Sequence, residues 1–173
     1  MSIIVSKARK MKNSISLIGM AGAGKSSVGK ELATALNLDL IDTDDLIENQ
    51  YKQTLQNILD QQGHIKLRAI EESVLTSINF DQIILSTGGS AVYSSKAMRH
   101  LQEHSIVIYL KVPFAQILER VPSFLNRGFA KDPDQTIEEA FLERQVLYKE
   151  FAHHTIENTQ DLESCILKII SLL

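Results

Sequence analysis

Cysteine is nearly absent from this chain: Cys165 is the only one among 173 residues. A single thiol excludes an internal disulfide framework and makes a reducing cytoplasm the natural compartment, with Cys165 itself read as a small core residue in a helix-like run. Basic excess is missing too. The formal charge is -3 and the pI near 5.9, so the chain lacks the positive field that a nucleic-acid binder turns toward phosphates. Any anion must therefore be held by a few placed residues. No window approaches the roughly 18 apolar residues of a membrane span. The opening stretch "MSIIVSKARKMKN" puts Lys7, Arg9, Lys10 and Lys12 after a short apolar run, the wrong order and length for a signal peptide. Residues 1–13 are expected to be a flexible lead-in. Internal repeats and low-complexity tracts are missing. The five histidines, among them the i, i+4 pair His100 and His104, are joined by no acidic or cysteine cluster, which argues against zinc.

What is there is a regular alternation. Short β-branched runs at 15–19, 38–42, 82–87, 105–112 and 154–158 are separated by helical patterns at 25–36, 54–62, 65–78, 94–103, 113–121, 136–152 and 161–172. Five strands interleaved with helices predict one α/β domain with a parallel sheet covered on both faces. One segment breaks the pattern. "PSFLNRGFAKDPDQ" (122–135) is polar, carries prolines near both ends and a central glycine, and is longer than most loops of compact domains, as functional lids are.

The stretch "GMAGAGKSS" (19–27) lies between the first strand and an amphipathic helix and satisfies G-x-x-x-x-G-K-[ST]. Glycines let successive N–H groups converge on an anion, and the helix that begins near Lys25 adds its unpaired N–H groups and positive dipole end. Lys25 is expected to neutralise the outer phosphates and Ser26 to ligate magnesium. In "DTDDLIE" (42–48), Asp42 and Asp44 follow the second strand. At i, i+2 on an extended backbone they would point together into the crevice at the strand ends, one to hold magnesium through water and the other to orient an acceptor hydroxyl. The alternative is an N-capping aspartate with solvated neighbours. "STGGSAV" (86–92) ends the third strand and can bring bare N–H groups against a ligand, or be a plain tight turn.

Arg144 falls inside the apolar stripe of its helix, formed by Ile137, Ala140, Phe141, Leu147, Tyr148 and Phe151. A guanidinium there must meet an anion, either an internal acid or a ligand's carboxylate or phosphate. Arg68 borders the apolar face of its own helix, but Glu71 and Glu72 stand at i+3 and i+4, and a surface ion pair is the default.

The phosphate loop, "DTD", an arginine ahead of Ile-Glu, "GGSA", a lid arginine and "RQVLY", in this order from about Ile15 to the C-terminus, resemble the shikimate kinase family. The resemblance implies a three-layer P-loop kinase fold of the nucleoside-monophosphate-kinase type, with a helical substrate-binding region at 43–78 and a mobile lid at 122–135. It implies transfer of phosphate from MgATP to the 3-hydroxyl of shikimate, a monomer, and no nucleic-acid or membrane partner. Carried over by position, it implies an ATP loop of Gly22, Ala23, Gly24, Lys25, Ser26 and Ser27. Ser26 and Asp42 would serve magnesium, and Asp44 the acceptor hydroxyl. Arg68, Arg144, Gly88 and Gly89 would clamp the carboxylate, Arg120 would stack on adenine, and Arg127 would bring positive charge to the transferring phosphate. The chain departs from the family pattern at His64, Leu67, Ser90 and Gly128, around the acceptor pocket and lid. These are the positions where a changed acceptor preference, for example toward a sugar acid, would originate.

Overall fold

The β-branched runs form the five strands that their patterning predicts. In the computed structural model, which describes residues 13–121, 123, 124 and 128–173, these are β1 (Ile15–Ile18), β2 (Asp39–Asp42), β3 (Ile83–Ser86), β4 (Ile106–Lys111) and β5 (His154–Glu157). All neighbours pair in parallel, in the order β2-β3-β1-β4-β5. Crossover helices cover both faces: α1 (Lys25–Leu36), α2 (Thr43–Tyr51), α3 (Leu55–Ser77), α4 (Ser95–His104), α5 (Phe114–Arg120), α6 (Ile137–Phe151) and α7 (Leu162–Ile170). None of the described helices is long and apolar enough to cross a membrane.

The two-residue period of the strands sorts side chains into two cores. Leu17, Ile108 and Leu110 pack with Val28 and Leu32 of α1 and with Ile166 and Ile169 of α7. Their strand neighbours Ile18, Val107 and Tyr109 face the other way, against Met98 and Leu101 of α4 and Tyr148 and Phe151 of α6. Cys165 is a free, buried thiol in the first of these cores. A third cluster, with Ile47 of α2 and Ile58, Leu67, Ile70 and Val74 of α3, builds the helical region beyond β2.

One local feature differs from the sequence reading. Residues 42–44, read as an extended pair of aspartates, instead open α2, because the Asp42 side chain accepts from the Asp44 N–H at 3.0 Å and caps the helix. The helical patterns at 54–62 and 65–78 are both present as the two limbs of α3, which meet in a kink at Gly63, whose φ of 79° and ψ of 168° are not helical. A side chain at that positive φ would be strained, so the kink rests on glycine. Thr136 caps α6 reciprocally: the Glu139 N–H donates to Thr136 Oγ1 at 3.1 Å, and the Thr136 N–H donates to Glu139 Oε2 at 2.7 Å.

Candidate active site

Parallel strands direct their carboxyl ends to one rim of the sheet, and the turns that leave β1, β2 and β3 open there into a cavity of about 460 Å³. Its walls include Gly22, Gly24, Lys25, Ser26, Ser27, Asp42, Asp44, Glu71, Gly88, Gly89, Ser90, Ala130 and Arg144. The nucleotide-loop residues and the residues after β2 and β3 that the sequence singled out thus meet in one place.

On one side lies the loop between β1 and α1. Gly22 and Gly24 hold φ of 82° and 91°, and Gly24 is the N-cap of α1, so the helix begins with free N–H groups at the cavity. Lys25 is only 8% exposed and donates to the carbonyls of Gly19 at 2.8 Å and Met20 at 2.9 Å. Burial lowers its pKa to about 8, against the opposing pull of Asp44 and Asp42. The Ser26 hydroxyl donates to Asp42 Oδ2 at 2.8 Å. Asn158, just past β5, donates its side-chain N–H to the Ala23 carbonyl at 2.8 Å, and Arg120 donates to the Asn158 carbonyl at 2.9 Å and to the Gly22 carbonyl at 3.4 Å.

On the other side the charges are less completely answered. Asp44 Oδ1 is buried and, among the described residues, has no hydrogen-bond partner. Burial, reinforced by the charge of Asp42, raises its pKa to about 6. Glu71 is 4% exposed; burial pushes its carboxyl up to about 7, opposed by the hydroxyl of Ser90, which donates to Oε2. A Cβ on Gly88 would collide with Glu71 Oε1 and come within 3.0 Å of Asp44 Oδ1, so the absent side chain is what lets both carboxylates face the same slot. The Gly88 N–H itself donates to Thr43 Oγ1 at 2.9 Å.

Arg144 is 1% exposed, and among the described residues no ion pair reaches it. Its guanidinium lies over the Phe129 ring at 4.2 Å, donates to the Ala130 carbonyl at 3.0 Å and approaches the Tyr93 hydroxyl at 3.4 Å. Arg68, half-buried, donates twice to the same Ala130 carbonyl, at 3.2 and 2.9 Å, and lies 3.6 Å from the centroid of the Tyr93 ring. Burial lowers the Arg68 pKa. Two guanidinium groups therefore share one neutral oxygen at the cavity wall.

The model of the shikimate kinase family matches residues 21–173. The chain belongs to the shikimate kinase family. Shikimate kinase 2 of Enterobacter sp. (strain 638) is 32% identical over 168 residues, covering 94% of this chain and 97% of the relative. A shikimate kinase of Acinetobacter baumannii (strain AYE) is 34% identical over 172 residues, covering 95% and 96%. Among solved structures, the shikimate kinase from Acinetobacter baumannii in complex with shikimate superposes with a TM-score of 0.83 at 32% identity, covering 96% of this chain and 95% of that one. A deoxyadenosine kinase from M. mycoides shares the fold, with a TM-score of 0.56 at 18% identity over 92% of this chain and 98% of that one.

Membership of the shikimate kinase family makes this chain a phosphotransferase that acts on a hydroxyl group with ATP as co-substrate. Most of its expected site residues line the one cavity, but Ala23, Arg68 and Arg120 do not: Ala23 is buried under the loop, Arg120 stands at the loop's edge, and Arg68 reaches Ala130 from behind the wall and lines a neighbouring hollow with Asp132, Asp134, Glu139 and Glu143. The Gly88 N–H, expected to face the acceptor, is taken by Thr43. Arg127 lies outside the described residues, as do Pro122, Leu125 and Asn126 of the segment read as a lid and residues 1–12 of the lead-in. Asp42 and Asp44 share the crevice as expected, but as the cap and first turn of α2 and not as an extended pair; Asp42 caps the helix and lines the cavity, while Asp44 is buried and not the solvated neighbour that the capping alternative supposes. Leu67, one of the departures placed around the acceptor pocket, is fully buried in the third core, and His64 does not line the cavity.

Glu71 was legible only as an ion-pair partner of Arg68. It stands at i+4 from Leu67 and three residues before Val74, inside an apolar stripe, so the reasoning that singled out Arg144 applies equally to it. Ala130, Phe129 and Tyr93 gave no comparable signal, since a backbone carbonyl and two aromatic rings acquire a role only once the chain is folded.

Proposed function

We propose that this chain transfers the γ-phosphoryl group of ATP to a hydroxyl of shikimate, with the phosphate loop at one end of the cavity and Arg144, backed by Arg68, at the other. The observation that carries this reading is the buried Arg144 beside Arg68, both turned on a single backbone carbonyl and neither in an ion pair among the described residues. A planar carboxylate offers two oxygens to two guanidinium forks, which a lone carbonyl does not, so an acceptor acid binds better than the Ala130 oxygen it replaces. Quinate and gluconate share that group; the shikimate complex of the structural relative favours shikimate.

At the other end, Lys25 and the first N–H groups of α1 hold the phosphates, and the exposed guanidinium of Arg120 at the edge of the loop offers a flat cation to the base. The Ser26 hydroxyl and the Asp42 carboxylate, already 2.8 Å apart, fit a magnesium ion that arrives with the nucleotide. Among the described residues no group of three acidic, histidine or cysteine side chains could hold a metal unaided, consistent with an ion carried by the phosphates. When bound, the ion neutralises charge on the nucleotide.

Asp44 is the base. Its unpartnered Oδ1 receives the proton of the acceptor hydroxyl as that oxygen forms its bond to the γ-phosphorus and the bond to the β-phosphate oxygen breaks. A pKa near 6 leaves it ionised at neutral pH yet basic enough to accept a hydrogen bond that tightens in the transition state. The deciding experiment offers ATP with shikimate, quinate, gluconate and CMP in parallel. Transfer to shikimate is expected; transfer to CMP alone overturns the carboxylate clamp.

A further inference from the structure

Arg68 and Glu71 stand three residues apart on α3, a spacing at which opposite charges ordinarily meet. Among the described residues no ion pair joins them. The turn after β3 supplies the reason. Ser90, itself only 5% exposed, donates its hydroxyl to Glu71 Oε2, and Tyr93, three residues on, lays its ring under the Arg68 guanidinium at 3.6 Å. The turn is tied internally: the Ala91 N–H donates to the Gly88 carbonyl at 3.3 Å and the Tyr93 N–H to the Ser90 carbonyl at 3.1 Å. One short 3-10 turn, Ala91–Tyr93 with Ser90 as its cap, thus engages both members of the pair and keeps each on its own side.

We propose that Ser90 is a positioning residue for the acceptor: its hydroxyl holds the Glu71 carboxylate away from Arg68 and Arg144, so that neither guanidinium group is taken by an ion pair with it and both are left for the carboxylate of the acid. This deepens the reading given above and rests on it. A buried carboxylate must take its hydrogen bonds from some donor. Both arginines already act on Glu71 through their charge, and without Ser90 the carboxylate has two cationic donors to turn to. Either new pair would cancel part of the charge that draws the acceptor, because an internal anion would compete with the substrate's own. The position is also where this chain carries serine in "GGSA" while the family pattern carries glycine, which has no hydroxyl to offer.

Ser90→Ala tests the inference. Loss of one hydrogen bond to a charged group and partial neutralisation of the clamp should raise the KM for shikimate by about tenfold, with much smaller changes in kcat and in the KM for ATP. Ser90→Thr, which keeps the hydroxyl, should stay near the parent value. In a Glu71→Gln background, where no anion can swing onto the arginines, Ser90→Ala should cost little further. Equal factors in both backgrounds, or a fall in kcat and melting temperature with KM unchanged, would show a merely structural serine and overturn the inference. A crystal structure of the Ser90→Ala protein separates this outcome from the choice of acceptor: the Glu71 carboxylate should pair with Arg68 or Arg144, and a carboxylate that stays in place defeats the proposal even if another acid proves to be the substrate. Failure of the parent protein to phosphorylate shikimate, with the Glu71 swing observed, would instead defeat the substrate reading alone.

Discussion

The two ends of the cavity are built on opposite plans. Around the phosphate loop the polar groups are answered from within: Lys25 by two loop carbonyls, Ser26 by Asp42, Ala23 by Asn158, and Asn158 in turn by Arg120. Around the acceptor they are left short: Asp44 Oδ1 has no partner among the described residues, and two arginines divide one carbonyl. The difference is one of preorganisation. The nucleotide end is held open by backbone geometry and needs only to exchange one set of bonds for another. On the proposed function, the acceptor end leaves its arginines without an ion pair, so the substrate that completes it gains the most, and specificity is expected there.

Substitutions should separate the two plans. The largest effect belongs to the loop: Lys25→Ala should lower kcat by at least about a hundredfold, the scale of losing a charge that stabilises the transition state, and steady-state kinetics with near-parental turnover would sink the phosphate-loop reading. At the acceptor end, Arg144→Lys keeps the charge but loses the fork. It should raise the acceptor KM by roughly tenfold with the ATP KM almost unmoved, whereas equal effects on both substrates would erase the distinction between the two ends.

The smallest effect to measure is a pH profile. In the free enzyme Asp44, near 6, must be ionised and Lys25, near 8, must be protonated, so kcat/KM for the acceptor should peak between these values and fall on both sides. The groups that act on Asp44 are Asp42, Asp45 and Glu48 of the α2 segment, which raise its pKa, and Lys25 of α1, which lowers it. A flat profile from pH 5 to 9 would remove Asp44 as the base. Stability should move the other way from activity over the acid limb. Asp44 and Glu71 both have folded pKa values raised above 3.8 and 4.5, to about 6 and about 7, so the stability they contribute is fully present below pH 4 and is lost as pH rises through 6 to 7.

How far the sequence could be read follows the same divide. The phosphate loop was legible because all its parts sit within nine residues, and the strands because their period is local. Arg144 was legible because a charge in an apolar stripe conflicts with its surroundings. The acceptor pocket as a whole was not, since Asp44, Glu71, Gly88, Ala130 and Arg144 come from five separate segments, and no spacing rule connects them. Helix α2, implied by the resemblance as part of a helical region, left no trace in the periodic patterns for a subtler reason. Its sequence is acidic at the start and sparse in apolar residues, with only Thr43 and Ile47 buried, so periodicity was silent and the cap supplied by Asp42 carried the signal alone.

The link from Asn158 to Ala23 spans 135 positions and has a consequence for biosynthesis. A ribosome releases the phosphate loop first and the residue that pins it near the end, so through most of translation the loop lacks its clasp. Parallel pairing of β5 onto β4 must come before the clasp can close, and such non-local pairing is slow. The last contact of the loop is therefore a late acquisition of the nascent chain, and a message truncated before codon 158 would yield a polypeptide whose loop keeps the bonds of Lys25 to Gly19 and Met20 but lacks the clasp from the far end of the sheet.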